Sequence, residues 1–371
     1  MTPYYNYDIS LLRRTLDACL NEAYRYGYQV HYALKANVEP VILHEISSRG
    51  FGADCVSGWE VQAAVENGFA PAKVVFAGVG KSDDEINYAL EQDIFAFNCE
   101  SLQELEVINE LARLKDKVAT IALRINPDVN PDTHRYIATG QKESKFGISY
   151  TEVNEALDKL QALSNLRVAG IHFHIGSQIL DMSSFAELAH RAGEISDWFF
   201  ERGVAIEHLN MGGGLGVDYL EPEKNPIPDF AAYFKVFDDN LRLRPSQKVH
   251  FELGRSLVAQ CCELRTKVLI TKRTGGGANF IIVDAGMTEL IRPALYQAHH
   301  KIVNLSAEGE CRPAERYYIG GPICESSDIF ARDIEFPHTE RGDILAIKSV
   351  GAYGSTMASN YNMRPLAKAV F

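Results

Sequence analysis

Short apolar blocks recur through the first two thirds of the chain, at 30–34, 51–56, 74–77, 94–97, 119–125, 168–175, 206–211 and 249–253. They are rich in β-branched and aromatic residues and read as strands. Between them the apolar positions return every three or four residues, which predicts helices over 40–48, 59–67, 83–91, 102–113, 152–163, 185–202 and 230–241. A further helix is expected over 11–26, where Leu11, Leu12, Leu16, Cys19, Leu20 and Ala23 share one stripe and Ser10 is placed to cap it. Eight strand–helix alternations over roughly 240 residues predict an α/β fold, a TIM-type (β/α)8 barrel. A doubly wound open sheet also alternates. The count of eight, and the absence of G-x-G-x-x-G after any strand, favour the barrel.

From about Cys262 the rhythm changes. Short strands are expected at 262–272, 279–284, 301–305, 316–319, 343–349 and 365–370, with turns such as Gly275-Gly276-Gly277 and no long helices between them. The expected organisation is a barrel over 11–247 and a C-terminal all-β domain, sandwich- or barrel-like, over 248–371, joined by an N-terminal strand at 2–8.

Composition narrows the function. The balance of 37 basic against 49 acidic residues gives a net charge of -12, with no basic tract to attract nucleic acid. The seven cysteines, at 19, 55, 99, 261, 262, 311 and 324, include no C-x-x-C pair. Neither a disulfide framework nor a zinc site is indicated. The N-terminus lacks a basic start followed by an apolar run, and no apolar stretch approaches the ~18 residues that span a membrane. The expectation is a cytoplasmic protein with no metal and no membrane partner.

In a barrel the chemistry sits at the carboxyl ends of the strands. The first strand runs into Lys35, the second brings Asp54 with Ser57 and Glu60 beyond it, the fourth ends at Asn98, and the fifth carries Arg124 and Asn126. The sixth reads His172-Phe173-His174-Ile175-Gly176-Ser177-Gln178, the seventh runs into Gly212-Gly213-Gly214-Leu215-Gly216, and the eighth ends in Glu252-Leu253-Gly254-Arg255. Taken singly, Lys35 is a snorkelling lysine or an amine whose pKa burial lowers for attack on a carbonyl. The histidines are core histidines, and the glycines a turn. Together they hold an amine, a backbone anion nest and a carboxylate at one mouth. No G-x-x-x-x-G-K-[ST] motif points to a nucleoside triphosphate. The set suits pyridoxal 5′-phosphate (PLP), with Lys35 as covalent anchor, Glu252 on the pyridine nitrogen and His174 stacked on the ring.

These residues resemble the fold type III PLP-dependent decarboxylases, which share the alanine racemase-like barrel, and most closely their diaminopimelate decarboxylase branch. The resemblance rests on Tyr32-Ala33-Leu34-Lys35-Ala36-Asn37, His174-Ile175-Gly176-Ser177-Gln178, the Gly212 to Gly216 run and Glu252-Leu253-Gly254-Arg255. In the second domain it rests on Asp284-Ala285-Gly286-Met287, Arg292-Pro293-Ala294-Leu295-Tyr296, Gly321-Pro322-Ile323-Cys324-Glu325-Ser326-Ser327-Asp328 and Gly351-Ala352-Tyr353. It implies that Lys35 is the Schiff-base lysine and that His174 stacks on PLP. Asp54 and Glu60 would support the site near Lys35. Ser177, Gly212, Gly213, Gly214, Gly254 and Arg255, with Tyr353, would hold the phosphate, and Glu252 the pyridine nitrogen. Cys324 would donate the proton that replaces CO2, reaching into the partner subunit's site of a homodimer.

Arg255, Arg292, Tyr296, Glu325, Ser326 and Tyr353 would form the substrate-binding set. Arginine pairs with carboxylates in bidentate fashion. A distal group bearing both a carboxylate and an amine would therefore satisfy Arg255, Arg292 and Glu325 together. The implied reaction is decarboxylation of meso-2,6-diaminopimelate to L-lysine and CO2. The alternative is a carboxynorspermidine decarboxylase or another basic amino-acid decarboxylase of the same family. Closure of a loop at 139–146 over the site is left open by the sequence, and the segment 218–227 is compact.

Overall fold

The computed structural model describes residues 1–127 and 145–371. Residues 139–144 of the loop just mentioned lie outside the described residues. The chain divides into two compact units. One comprises Leu16–Gly216 and Asp229–Gly254; the other comprises Met1–Thr15, Val217–Pro228 and Arg255–Phe371.

In the first unit eight parallel strands close into a barrel: Gln29–Ala33, Gly52–Cys55, Val74–Phe76, Ala96–Cys99, Ala119–Arg124, Leu166–His172, His208–Asn210 and Lys248–Leu253. The last pairs with both His208–Asn210 and Gln29–Ala33, so the sheet has no edge and the open-sheet alternative is excluded. This corrects the expected boundary at 247: Lys248–Leu253 is a barrel strand, and the unit runs to Gly254. The apolar block at 249–253 is the eighth of the strands counted toward the barrel, so a boundary at 247 cuts off a strand the pattern itself supplies.

Period-two alternation explains how an apolar strand can carry a polar site. In Lys248–Leu253 the Phe251 ring packs outward, 4.8 Å from the Phe237 ring and 5.0 Å from Phe234 on helix Phe230–Asn240. His250 and Glu252 lie on the other face, toward the barrel axis. Side-chain oxygens fix several helix starts: Ser57 accepts from the Glu60 N–H, Ser101 from Glu104 and Asp181 from Ser183. No helix among the described residues is long and apolar enough to cross a membrane.

The second unit is built on a sheet in the order Ile302–Asn304, Ile344–Ile347, Cys262–Arg273, Asn279–Val283, Ala314–Gly320, Ile329–Pro337. Tyr4–Tyr7 pairs antiparallel with Cys262–Arg273 and parallel with Lys368–Val370. Strand Ile329–Pro337 is not foreseen by the sequence. It is an edge strand whose Arg332, Asp333 and Glu335 interrupt the apolar pattern, and Asp333 takes a left-handed φ of 49°. The first helix, Ile9–Arg25, is capped by Asp8 rather than Ser10: Asp8 Oδ1 accepts the Leu11 N–H at 2.9 Å.

Candidate active site

The barrel unit gathers its polar groups around Glu252. Its Oε1 accepts the Asn98 amide at 3.0 Å and the Asn210 amide at 2.7 Å, and its Oε2 lies 2.9 Å from His172 Nε2. A carboxylate offers about four acceptor positions. Donors among the described residues fill three, and the remaining one is on Oε2. Burial alone would raise the Glu252 pKa. The charge and hydrogen bond of His172, with Lys35 and His31, outweigh burial and hold this carboxyl well below the usual carboxylate range.

Lys35 lies in the tight turn Leu34–Ala36 that ends the first barrel strand. Its side chain is 39% exposed, and Nζ stands 3.6 Å from Oδ2 of the fully buried Asp54. The side chain is therefore partly exposed while its amine is tethered to Asp54. Asp54 is pushed up to about 7, first by burial and then by the Glu252 charge; Lys35 works against both. Its Oδ1 is buried with no hydrogen-bond partner among the described residues. Of the two carboxyls, Glu252 is the fixed anion and Asp54 the readily protonated one. Glu60 accepts the Val56 N–H at 2.8 Å, bracing the turn after Asp54, and burial raises its pKa.

His174 follows two residues after its strand ends. Its Nδ1 accepts the Gly213 N–H at 3.3 Å, which orients the ring and leaves Nε2 as the protonated nitrogen. Burial, then the Lys35 and Arg124 cations, lower its pKa well below the ordinary value, so the ring is neutral. Arg124 is engaged elsewhere: it pairs with buried Glu100 at 2.7 Å and lies over the Phe146 ring. The glycine run is fixed sterically. A Cβ on Gly212 would fall 2.2 Å from the Phe173 carbonyl oxygen, and one on Gly213 would fall 2.0 Å from that of Glu252. Only glycine lets this backbone pass so close to the neighbouring strands. Gly214 beside them accepts the Ile179 N–H through its carbonyl, close after Ser177.

The second unit assembles a cationic group. Arg255 and Arg292 are both buried, and both donate Nη1–H to the Tyr219 oxygen, at 2.8 and 2.9 Å. Arg292 Nη1 also lies 2.8 Å from His300 Nε2. The Arg255 guanidinium sits 4.9 Å from the Tyr353 ring centroid. Tyr296 ends the short helix that Arg292 begins. Cys324, Glu325 and Ser326 are exposed on a separate loop. There Glu325 accepts the Tyr361 hydroxyl at 2.8 Å, and the Cys324 N–H reaches Asn362. So Arg255, Arg292 and Tyr353 come together in one chain, while the 324–326 residues face outward.

Sequence reasoning missed the parts played by His172, Asn210, Tyr219 and His300. The first two carry a legible signal: each sits on the inward face of a strand, in register with its neighbours, as His172 is opposite Asn210 and Asn210 opposite His250. Tyr219 and His300 lie outside regular elements and carry none.

The residues fit PLP on their own geometry. Lys35 supplies an accessible amine, Glu252 one open acceptor position beneath heavy donation, Asp54 an orphaned buried oxygen, and the glycine run close-packed backbone. Comparison with known proteins agrees. Residues 11–259 match the family described as pyridoxal-dependent decarboxylase, pyridoxal binding domain. A diaminopimelate decarboxylase of Bacteroides thetaiotaomicron is 52% identical over 99% of this chain and 94% of its own. One from Aquifex aeolicus is 41% identical over 100% of this chain and 86% of its own. The crystal structure of the Helicobacter pylori diaminopimelate decarboxylase complexed with L-lysine superposes with a TM-score of 0.93 at 38% identity, covering 100% of this chain and 92% of that one. The chain belongs to the diaminopimelate decarboxylase family of PLP-dependent decarboxylases.

Proposed function

We propose that the chain removes one carboxylate of meso-2,6-diaminopimelate as CO2 and releases L-lysine, the last step of lysine biosynthesis, with the roles divided among its residues as follows. The observation that carries the reading is Glu252: a buried carboxylate held anionic by three donors, with one acceptor position left over. Bound PLP supplies an electron sink for the pair left behind when the carbon–carboxylate bond breaks. Lys35 would anchor it through Nζ, and Glu252 would hold the proton on the pyridine nitrogen so that the sink stays strong. Neutral His174 would hold the ring. Ser177, the Gly212 to Gly214 backbone, Gly254 and Tyr353 would hold the phosphate. Asp54 and Glu60 keep the floor beneath Lys35 acidic.

Arg255 and Arg292 take the carboxylate that is not lost, which sets the substrate apart from simple diamino acids. Tyr296, Glu325 and Ser326 complete that end and grip its amine. Cys324 delivers its Sγ proton to the carbon that has lost CO2. Its exposure on an outward loop supports a homodimer in which this thiol serves the partner's site. The seven cysteines, none of them in a disulfide, accord with a reducing, cytoplasmic setting.

The test is CO2 release by the PLP-loaded protein from a panel of amino acids. Release from meso-diaminopimelate, with little from ornithine, lysine or carboxynorspermidine, is expected. Release from ornithine or carboxynorspermidine alone would overturn the substrate assignment.

A further inference from the structure

We propose that Tyr219 is a positioning residue for substrate choice: its phenol oxygen holds the Arg255 and Arg292 guanidiniums together as one receptor for the distal carboxylate. The inference rests on the substrate reading above and deepens it. Two like charges drawn to one buried oxygen repel each other, and water would separate them. Here one atom opposes that separation, accepting from Arg255 at 2.8 Å and from Arg292 at 2.9 Å. The Tyr219 ring adds to the hold, with the Arg292 guanidinium 4.8 Å and the Arg255 guanidinium 6.0 Å from its centroid.

The surroundings fix this arrangement. Tyr219, Arg255 and Arg292 are 8%, 6% and 5% exposed. His300 Nδ1 lies 2.8 Å from the Lys348 carbonyl, to which it must donate. Nε2 is then the acceptor that faces Arg292 at 2.8 Å. The His300 ring meets the Tyr219 ring edge-on, 4.9 Å between centroids. Asp218 folds the turn that carries Tyr219 by accepting the Leu220 and Glu221 N–H groups at 2.9 and 2.8 Å. Among the described residues the partners of Arg292 are thus a phenol and a neutral imidazole, not a carboxylate. Both leave its positive charge available to an incoming anion. The two arginines pull the Tyr219 phenol below its ordinary pKa even though burial alone would raise it.

The consequence is a preference that rests on position rather than on charge alone. Without the oxygen of Tyr219 the two arginines remain cationic but splay apart, and bidentate capture of a single carboxylate is lost. The product L-lysine retains that carboxylate. 1,5-Diaminopentane has the same two amines and lacks it. The test uses both as competitive inhibitors of the PLP-loaded enzyme. Tyr219→Phe should raise KM for diaminopimelate and Ki for L-lysine about tenfold, with Ki for 1,5-diaminopentane and kcat within about threefold of the wild type. Weakening of both inhibitors alike would mean general damage and would overturn the inference.

Arg292→Gln separates the inference from its foundation. If that variant keeps the preference for L-lysine, the substrate reading itself fails. If it loses the preference while Tyr219→Phe keeps it, Tyr219 is not the positioning residue. Should Tyr219→Phe fail to bind PLP, 4-aminophenylalanine placed at 219 preserves the shape and replaces the acceptor oxygen with a neutral amine that accepts poorly. A selective loss of L-lysine affinity is then expected, and unchanged affinity overturns the proposal.

Discussion

At the scale of single residues, the charge on Glu252 depends on who donates to it. Asn98 and Asn210 are neutral donors on one oxygen, so His172 on the other is the partner most able to keep the carboxyl ionised. His172 Nδ1 is buried and has no hydrogen-bond partner among the described residues, so the hydrogen bond that orients the ring there is the one to Glu252. Removing a donor from a buried carboxylate costs roughly 1–3 kcal/mol. His172→Leu should therefore lower kcat at least about tenfold and shift the pH titration of the bound cofactor's visible absorbance, while His172→Gln, which keeps an N–H donor, recovers part of both. An unchanged titration in the Leu variant would remove His172 from the mechanism. Two other histidines set an acid limit. His31 Nε2 and His250 Nδ1 are 2.9 Å apart in the barrel core, and burial lowers both pKa values below 6.5, that of His250 well below. The unfolded chain therefore binds protons below about pH 6.5 that the folded one refuses. Stability is retained above that pH and falls as pH drops through it, by up to about 1.4 kcal/mol per pH unit for each proton. Thermal melts from pH 7.5 to 5 should show the fall, and His250→Phe should flatten it.

At the scale of elements, the barrel is held by the fit of strands to helices. Phe237 on helix Phe230–Asn240 is fully buried, 4.8 Å from Phe251, 5.4 Å from Tyr233 and 6.0 Å from Phe185. Phe237→Ala should cost roughly 3–5 kcal/mol, seen as a lower urea midpoint with an unchanged slope. A loss below about 1 kcal/mol would mean that the neighbouring rings refill the space. The same elements show why the fold was legible and much of the site was not. Apolar period and glycine placement are local, so the eight strands could be read from blocks such as 249–253. The edge strand Ile329–Pro337 has Arg332, Asp333 and Glu335 facing largely outward, and no local pattern betrays it. Lys35 and Glu252 stand at strand ends, where barrel geometry alone nominates them. Tyr219 and His300 gain their roles only by meeting Arg255 and Arg292, which lie 36 and 73 residues from Tyr219 in sequence. Contacts of that kind leave no periodic trace.

At the scale of the whole molecule, the placement of Cys324 bears on whether one chain suffices. Cys324 is exposed, and its neighbour Glu325 is bound to Tyr361 rather than to the arginine pair. In the proposed homodimer, a symmetric pair would exchange two such thiols between two sites. Lys35→Ala and Cys324→Ala chains then make a decisive pair, because each homodimer is inactive for its own reason. In an equal mixture with free exchange, about half of the dimers carry one chain of each kind. If Cys324 acts on the partner's site, such a dimer has one site with both defects and one with none. About a quarter of wild-type activity should return, rising as exchange proceeds and absent when the chains are kept apart. If Cys324 acts on its own chain's site, every site in the mixture has one defect and nothing returns. Demonstrated subunit exchange with no recovered CO2 release would therefore assign the thiol to its own chain and remove the case for a shared site.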